Sequence, residues 1–493
     1  MSGIRVTYSG LISFVFGISS VITGLIFTLI VTRNLTQTEF GTWSLIGGLT
    51  SYVLIINPII AYWTTREIAR GNKIAKTSLL SSSSLSVLAV GIYLIIILFF
   101  NSQSIDHKIL IFAAILIPIE FVRRELIAIS IGYKPHLAEL SAVVFEIVKI
   151  PTALILIYFL DMSIIGIIIT SAISGVSSIV FLLFKINNLL TDKFTVSQLK
   201  KWIKLGWLPL YPKIAGVLHN ADVAVFTIIT GSVGGLAYWA SAKAISGMIS
   251  HSSKINKAVY PKLLSGGKKE ILEENLVRVF YFTFPLSIAA FVFAKPGLFA
   301  LNPIYEIAVP VVLILIPAMI LKIFTNIFSQ SLSGIETVDI KEQSTFKDYI
   351  KSKLFFLPTL TIIQYSVYIS SLIVVLYFTV STSLEIELVM YWAIIAAITE
   401  LPITIFLYKM VRKEFSLKIN VIPIIKYLIS AIVSFIPVYL LMEKYLEYNN
   451  RIIEFLPDLF QYIVLGFLLY LGITFVIDSK TKKLVKSIIK ELR

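Results

Sequence analysis

The sequence contains no cysteine, only four histidines and few charged residues for a chain of 493 residues. The lack of cysteine excludes disulfide bonds, thiolate metal sites and cysteine nucleophiles. Four histidines leave little for a histidine-built metal centre, so we expect neither a metal nor a cofactor. Charged residues make up 14% of the chain and hydrophobic residues 57%. This balance excludes a water-soluble fold and predicts a chain that mostly faces lipid or other buried helices.

Long apolar runs predict how the chain crosses the membrane. A hydrocarbon core about 30 Å thick is crossed by about 20 apolar residues in a helix. Runs of this kind predict helices at 8–32, 41–62, 78–100, 108–131, 139–160, 162–184, 205–230, 235–258, 276–296, 306–329, 353–379, 387–409, 421–442 and 459–478. The predicted fold class is therefore an all-α polytopic membrane protein with 14 transmembrane helices.

The predicted helices form two groups of six and a final pair. We divide the chain into an N-terminal six-helix lobe, a basic cytoplasmic connector, a C-terminal six-helix lobe, and two extra helices with a basic tail, at 1–184, 185–204, 205–410 and 411–493. A glycine turn that leads into an aromatic residue follows the first helix at Gly41 and the seventh helix at Gly235. Parallel repeats of this kind occur in transporters, with the substrate site between the lobes.

Lysine and arginine lie mostly on one side of the predicted membrane. The loops on the side that holds both termini carry 33 of the 43 lysines and arginines, and the other loops carry five, namely Arg33, Lys108, Lys295, Lys444 and Arg451. Cytoplasmic loops are rich in these residues. The asymmetry therefore predicts a plasma-membrane protein with both termini in the cytoplasm. It also accounts for the net charge of +15 without nucleic-acid binding.

Two motifs stand at the ends of the first and seventh predicted helices. One is Arg33-Asn34-Leu35-Thr36-Gln37-Thr38-Glu39-Phe40-Gly41-Thr42-Trp43, and the other is His219-Asn220-Ala221-Asp222 followed by Thr230-Gly231 and by Gly235 to Tyr238. They resemble motifs of the polysaccharide flippase family of the multidrug/oligosaccharidyl-lipid/polysaccharide (MOP) exporter superfamily. One departure is that two residues separate Gly235 from Tyr238 where that family usually has one. The resemblance implies a V-shaped pair of six-helix lobes around a central cavity, which export a polyprenyl-linked saccharide by alternating access.

Five cations fall inside or at the ends of predicted helices, namely Lys149, Lys213, Lys243, Lys322 and Lys426. An unpaired charge inside the membrane costs about 2.5–3.5 kcal/mol on insertion scales. Each such cation therefore needs a partner, a wet cavity or an escape to the interface. We interpret Lys322 and Lys426 as side chains that snorkel to the interface.

The seventh predicted helix carries a polar stripe. Lys213, Asn220 and Thr227 recur every seven residues and so lie on nearly one face. We expect Lys213 and Asn220 to face cargo. Asp222 is expected to turn toward the next helix, where Lys243 is a candidate counter-ion. Lys243 is also a further candidate cargo contact. The alternatives are that Lys213 snorkels to the inner interface and that Asp222 belongs to a purely structural pair.

The other charged residues of the predicted helices are candidates for cargo binding, ion coupling or structural pairing. Arg33 ends the first helix and is suited to bidentate phosphate binding, or it is an interfacial anchor. Glu146 and Lys149 stand at i and i+3 and are expected to pair, with Pro151 loosening the backbone just beyond. Glu400 is a lone carboxylate suited to coupling by H⁺ or Na⁺, although burial alone also keeps a carboxylate protonated. A structural, self-neutralising cluster is expected at Glu120, Arg123, Arg124 and Glu125.

These features favour transport over catalysis. The sequence has no glycine-rich phosphate loop and no metal-ligand spacing, and its predicted outer loops are too short to hold an active site. A lipid-linked sugar carries an anionic phosphate, which intramembrane cations can attract. We therefore expect a flippase for polyprenyl-phosphate-linked or pyrophosphate-linked oligosaccharides, with membrane lipids, an H⁺ or Na⁺ coupling ion and glycan-assembly proteins as partners. The alternatives are a multidrug or organic-cation antiporter of the same superfamily and a membrane glycan polymerase or ligase.

Overall fold

The computed structural model describes residues 23–100, 106–258, 269–336, 350–418 and 420–478, together with the single residues 338, 348 and 482. Within these ranges every regular element is a helix. The chain packs into two compact units, Met1–Ala237 and Tyr238–Arg493, which we call the first unit and the second unit. The prediction of an all-α polytopic protein is confirmed.

The first unit is built from helices joined by short turns. They are α1 (23–34), α2 (Gln37–Val53), α3 (Pro58–Ala69), α4 (Ala75–Ile97), α5 (His107–Ala113), α6 (Leu116–Tyr133), α7 (His136–Ala153), α8 (Ser163–Ile186), α9 (Val196–Lys204) and α10 (Trp207–Thr230). Short 3-10 helices follow α2 and α8, and a π-helix at Leu154–Phe159 follows α7.

The second unit contains longer helices. Helix α11 (Gly234–Ser246) begins in the first unit and continues into the second. The others are α12 (Lys269–Val292), α13 (Ala294–Leu301), α14 (Val309–Ser333), α15 (Lys353–Thr379), α16 (Glu385–Phe415), α17 (Val421–Tyr445) and α18 (Ile452–Ile477). Two 3-10 helices, Gly247–Ala258 and Pro303–Ala308, follow α11 and α13.

Eleven of the described helices are long and apolar enough to cross a membrane. Three of the 14 predicted spans are not among them. Much of the first predicted span, 8–32, lies outside the described residues. The fourth, 108–131, is divided into α5 and α6 by a turn at Ala114 and Ile115, whose amides bond three residues back instead of four. The eighth, 235–258, is divided into α11 and a 3-10 helix.

Small polar residues allow three helices of the first unit to approach closely. Helix α4 buries four serines, at positions 78, 81, 82 and 86. Between α3 and α6, the Thr65 hydroxyl donates to the Ala128 carbonyl at 3.1 Å. Gly132 lies against the backbone of α3, where a Cβ atom would be 2.8 Å from the Thr65 carbonyl oxygen. The result is a tight contact of α3, α4 and α6.

A proline accompanies the π-helix after α7, and tyrosines join the final helix pair to α12. Helix α7 continues as a π-helix three residues after Pro151, which removes one backbone donor from the helical ladder. The final pair, α17 and α18, packs against α12. In that contact the Tyr470 hydroxyl donates to the Tyr281 carbonyl at 2.6 Å, and the Tyr281 and Tyr427 rings lie 5.0 Å apart.

The segment predicted as a basic connector is largely helical. Lys185 still belongs to α8, and the chain then forms a 3-10 helix at Asn187–Leu189 and the amphipathic helix α9. Trp202 of α9 is fully buried against Ile60 and Ile74. Helix α10, which the sequence groups with the C-terminal lobe, contacts α2 and α3 within the first unit.

Candidate functional site

Helix α10 carries the predicted polar stripe and packs on α2. The Asn220 amide donates to the Ser51 hydroxyl at 3.0 Å, and the Tyr52 hydroxyl donates to the Asn220 carbonyl oxygen. The helices touch at Gly48, where an added Cβ atom would be 3.1 Å from a methyl group of Val223. The side chain of Asn220 therefore helps to fix α10 on α2.

The two sequence motifs meet at the ends of these helices. Thr36 and Glu39 form a capping box that starts α2. Gly231 ends α10 with a φ of 66°, a left-handed conformation that favours glycine. Gly41 lies against the turn that follows, and a Cβ atom added to it would be 1.9 Å from the carbonyl oxygen of Val233. Glycine is required at position 41 because the backbones of α2 and this turn are in contact.

The stripe is exposed at one end and buried at the other. Lys213 is exposed, Asn220 is half-buried and Thr227 is buried, with its hydroxyl bonded to the Val223 carbonyl at 2.9 Å. Within the ranges that the structure describes, no carboxylate forms an ion pair with Lys213. The stripe therefore offers one exposed ammonium group on a helix whose residues Pro209–Thr230 are long and apolar enough to cross a membrane.

Asp222 lies on another face of α10. Its side chain is 2% exposed, and one carboxylate oxygen accepts a hydrogen bond from the Val223 amide at 2.8 Å. Lys243 of α11 is half-buried in the second unit, with its ammonium 5.3 Å from the centre of the Trp239 ring. Trp239 stacks on Trp392 at 4.0 Å. Because Asp222 and Lys243 belong to different units, their pairing stays a prediction.

Helices α6 and α7 gather cations and aromatic rings. The Lys149 ammonium is 2.6 Å from a Glu146 carboxylate oxygen, and it lies 4.9 Å from the ring centre of Phe27 on α1. The Arg123 guanidinium lies 5.1 Å from the ring of Phe145. Arg33 is half-buried in the last turn of α1.

The expected cluster of four charged residues on α6 is only partly present. Glu120 accepts from Arg123 at 2.9 Å and from Arg124 at 3.4 Å. Glu125 takes no part, because its side chain turns into the α3 and α4 contact and is 0% exposed. There it accepts a hydrogen bond from the Thr64 hydroxyl at 2.6 Å. The prediction that Glu125 is neutralised by the arginines was wrong.

Glu400 lies in the interior of the second unit. Its side chain is 6% exposed and accepts a hydrogen bond from the Gln364 amide of α15 at 2.7 Å. One turn further along α16, the Thr404 hydroxyl lies 2.7 Å from the Thr325 hydroxyl of α14. Among the described residues, Glu400 has no basic partner within ion-pair distance.

Several of these partners could not be found from the sequence. Gln364 and Thr64 are polar residues in apolar helices, which marks them as unusual but does not name the carboxylate that each contacts. The four serines of α4 were a stronger signal, because small polar residues that recur in one apolar helix indicate a helix contact. Within the described ranges, no group of three or more histidine, aspartate or glutamate side chains is arranged to hold a metal ion.

No protein-family model matches the sequence, and no curated protein is significantly similar to it in sequence. Solved structures are similar in fold. The lipid II flippase MurJ, in an inward closed conformation, matches with a TM-score of 0.65 and 13% identity over 95% of this chain and 98% of that one. An inward-facing multidrug resistance MATE family transporter of the MOP superfamily matches with a TM-score of 0.60 and 16% identity over 81% of this chain and 96% of that one.

A third similar structure is a MOP superfamily transporter from Pyrococcus furiosus, described as having a binding pocket of reverse polarity that suggests a different function. Its TM-score is 0.52, with 16% identity over 82% of this chain and 94% of that one. All three are membrane transporters, and none of the three descriptions names a polymerase. The chain therefore has the fold of the MOP superfamily of membrane transporters, the superfamily predicted from its two motifs.

Proposed function

We propose that this protein is a flippase, which moves a polyprenyl-phosphate-linked or pyrophosphate-linked oligosaccharide from the cytoplasmic to the outer leaflet by alternating access. The observation that carries the proposal is Lys213, an exposed ammonium group on an apolar helix with no acidic partner in the described ranges. Such a charge is costly in a membrane unless it meets an anion or water. The phosphate of a lipid carrier supplies that anion.

The extent of the fold match supports a lipid-linked cargo. The lipid II flippase matches 95% of this chain, whereas the MATE transporter matches 81%. We propose the arrangement of two six-helix lobes, at 1–184 and 205–410, with the appended helix pair and tail at 411–493. In this arrangement the protein lies in the plasma membrane with both termini in the cytoplasm, and it works beside glycan-assembly proteins.

The proposed cargo contacts are Arg33, Lys213, Asn220 and Lys243. Lys213 attracts the phosphate, while Arg33 and Lys243 contribute further positive charge. Asn220 contributes its side-chain amide, whose nitrogen donates one of its two hydrogens to Ser51. A guanidinium binds phosphate oxygens in pairs, which suits Arg33 to the stage at which cargo reaches the outer side.

The membrane potential gives this transport a direction. With the cell interior negative, outward movement of each negative charge is favourable by about 2.3 kcal/mol per 100 mV. We further propose that Glu400, which is buried and has no basic partner among the described residues, accepts a coupling H⁺ or Na⁺. Glu146 and Asp222 are the other acidic candidates for this role or for charge pairing, and Glu146 already pairs with Lys149.

A cation-coupled multidrug antiporter is the second candidate function. It is favoured by the buried carboxylate of Glu400, because a carboxylate attracts an organic cation and repels a phosphate. The two functions differ in the charge of the cargo. A flippase requires the basic groups of α10 and α11, whereas an antiporter for cations loses activity when Glu400 is neutralised and tolerates neutral residues at Lys213.

The test is a flipping assay in proteoliposomes, with a fluorescent polyprenyl diphosphate that carries a short glycan. We expect Lys213→Gln to slow flipping about 10- to 150-fold, the effect of losing a charged hydrogen bond of about 1.5–3 kcal/mol. Lys213→Arg should retain most of the rate. Lys426→Gln is the matched control, because Lys426 is likewise an exposed lysine on an apolar helix. Equal rates for Lys213→Gln and Lys426→Gln would contradict the proposed role of Lys213.

A further inference from the structure

Helix α9 lies between two helices that are long and apolar enough to cross a membrane. The first of these spans ends at Leu189, and the second begins at Pro209. Six residues join the first span to α9, at 190–195, and four residues join α9 to the second, at 205–208. Four residues of extended chain reach at most about 14 Å. These short connections hold α9 near the membrane surface.

Helix α9 is docked on the first unit along one side. Trp202 is fully buried in the contact with α3 and α4. The Lys201 ammonium lies 3.9 Å from a Glu67 carboxylate oxygen of α3. Just before the helix, the Thr195 amide donates to the Thr77 hydroxyl of α4 at 3.0 Å. These contacts fix which side of α9 faces the protein and which side is left open.

A strip of apolar side chains is exposed beside the docked side. Val196 and Ile203 are seven residues apart, so they point in nearly the same direction, about 100° from Trp202. Together with Phe194 before the helix and Trp207 after it, they are between 41% and 57% exposed. Apolar and aromatic side chains on one side of a helix at a membrane surface are typical of contact with lipid.

Lysines border the apolar strip. Lys200 and Lys204 are exposed and one turn apart on α9, and Lys193 is exposed just before the helix. Among the described residues, no carboxylate lies within ion-pair distance of these three ammonium groups. Residues 185–207 contain five lysines and a single acidic residue, Asp192. The charge beside the strip is therefore positive and complements a negatively charged surface.

We infer that α9 is a docking surface for the anionic phospholipids of the leaflet that it meets. Val196 and Ile203 enter the boundary between headgroups and acyl chains, and Lys200 and Lys204 bind lipid phosphates. Interfacial helices that carry lysine beside an apolar side bind anionic membranes in this way. In the predicted topology the leaflet is the cytoplasmic one, whose anionic lipids attract such lysines. The surface does not depend on the cargo that the protein transports.

Two features favour a lipid over a soluble anion or an acidic protein. A soluble phosphate would use the lysines but would leave the apolar strip in water, whereas a phospholipid satisfies both. The short connections to α8 and α10 also keep α9 at the membrane, so the bilayer is always within its reach.

The lack of cysteine in the chain allows a direct test. A single cysteine is introduced by Ile203→Cys in the apolar strip or by Ser197→Cys, an exposed position that points about 100° from Val196 and serves as the control. Each full-length variant is labelled with a fluorophore and placed in phosphatidylcholine nanodiscs. Phosphatidylglycerol or phosphatidylcholine with a nitroxide on its acyl chain is then added at one mole fraction, and quenching of the fluorophore is measured.

We expect nitroxide lipids to quench the label at position 203 more than the label at position 197, and phosphatidylglycerol to quench it more than phosphatidylcholine. In the Ile203→Cys background, Lys200→Gln and Lys204→Gln should each lower this preference about fivefold, which corresponds to about 1 kcal/mol per lysine near an anionic surface. The matched control combines Lys409→Gln with Lys413→Gln, which removes two exposed charges one turn apart on α16. This control should retain the preference.

Three results would overturn the inference. Equal quenching at positions 203 and 197 would mean that the apolar strip does not enter the membrane and that the surface serves a soluble acidic partner. Equal quenching by the two lipids, or an equal loss of preference in the α16 control, would mean that Lys200 and Lys204 do not bind headgroups. A preference that is abolished by added glycerol phosphate would assign the lysines to a soluble phosphate. All the substituted side chains are exposed, so we expect every variant to fold.

Discussion

Asn220 of α10 donates a hydrogen bond to Ser51 of α2, with 3.0 Å between the amide nitrogen and the hydroxyl oxygen. We expect Asn220→Ala to lower the free energy of unfolding by about 1 kcal/mol, because a hydrogen bond between two helices is lost. The measurement is thermal or denaturant unfolding of the purified protein. A double-mutant cycle with Ser51→Ala isolates the pair, and strictly additive effects would mean that the two side chains do not interact.

Gly41 has no room for a side chain. An added Cβ atom would lie 1.9 Å from the Val233 carbonyl oxygen, so the backbone must move in Gly41→Ala. We expect a loss of about 1–3 kcal/mol in the free energy of unfolding. Gly47→Ala is the matched control on the same helix, since a Cβ atom there meets nothing within 4 Å. That change should be neutral or stabilising, because alanine favours helix more than glycine does. Similar destabilisation at both positions would contradict the contact.

Trp202 of α9 and Trp207 at the start of α10 differ in their exposure to the surroundings. Trp202 is 0% exposed and Trp207 is 42% exposed. Trp202→Ala should destabilise the protein by about 3–5 kcal/mol, because a large cavity is left where α9 contacts α3 and α4. Trp207→Ala should cost much less. Limited proteolysis between α8 and α10 provides the readout, with faster cleavage expected for Trp202→Ala alone.

The Gln364 and Glu400 pair joins α15 to α16. Gln364→Ala removes the amide that donates to Glu400 at 2.7 Å and leaves that buried carboxyl group without this partner. We expect a loss of about 1–3 kcal/mol in the free energy of unfolding. The double variant Gln364→Leu with Glu400→Leu replaces both polar groups by apolar ones and should recover much of the loss. If it unfolds as easily as Gln364→Ala, desolvation of Glu400 is not the cause.

The helices were predictable because the membrane sets their length. Apolar runs near 20 residues locate most of the described spans, and the pair of Glu146 and Lys149 was predicted because their contact is local in sequence. The division between α5 and α6 was not predictable from hydropathy, since residues 109–119, on both sides of the turn, are apolar throughout and a single turn leaves no mark in hydropathy. Hydropathy detects burial in lipid but does not detect where a helix is interrupted.

The partners of the charged residues depend on which helices are neighbours. Glu125 was grouped with Arg123 and Arg124 because they are adjacent in sequence, but successive residues point in directions about 100° apart on a helix. The neighbours of Glu125 are serines about 45 residues earlier in the chain and a threonine on another helix. Long-range contacts of this kind are set by the fold and cannot be derived from local spacing.

The contact of Gly41 with Val233 joins two stretches that are far apart along the chain. The motif that opens α2 and the glycine turn that closes α10 are opposite sides of one backbone contact. They should therefore vary together among related chains, since a larger residue at one side is tolerated only if the turn at the other is rebuilt. The two motifs look independent in the sequence, but they form one contact and are expected to change together in evolution.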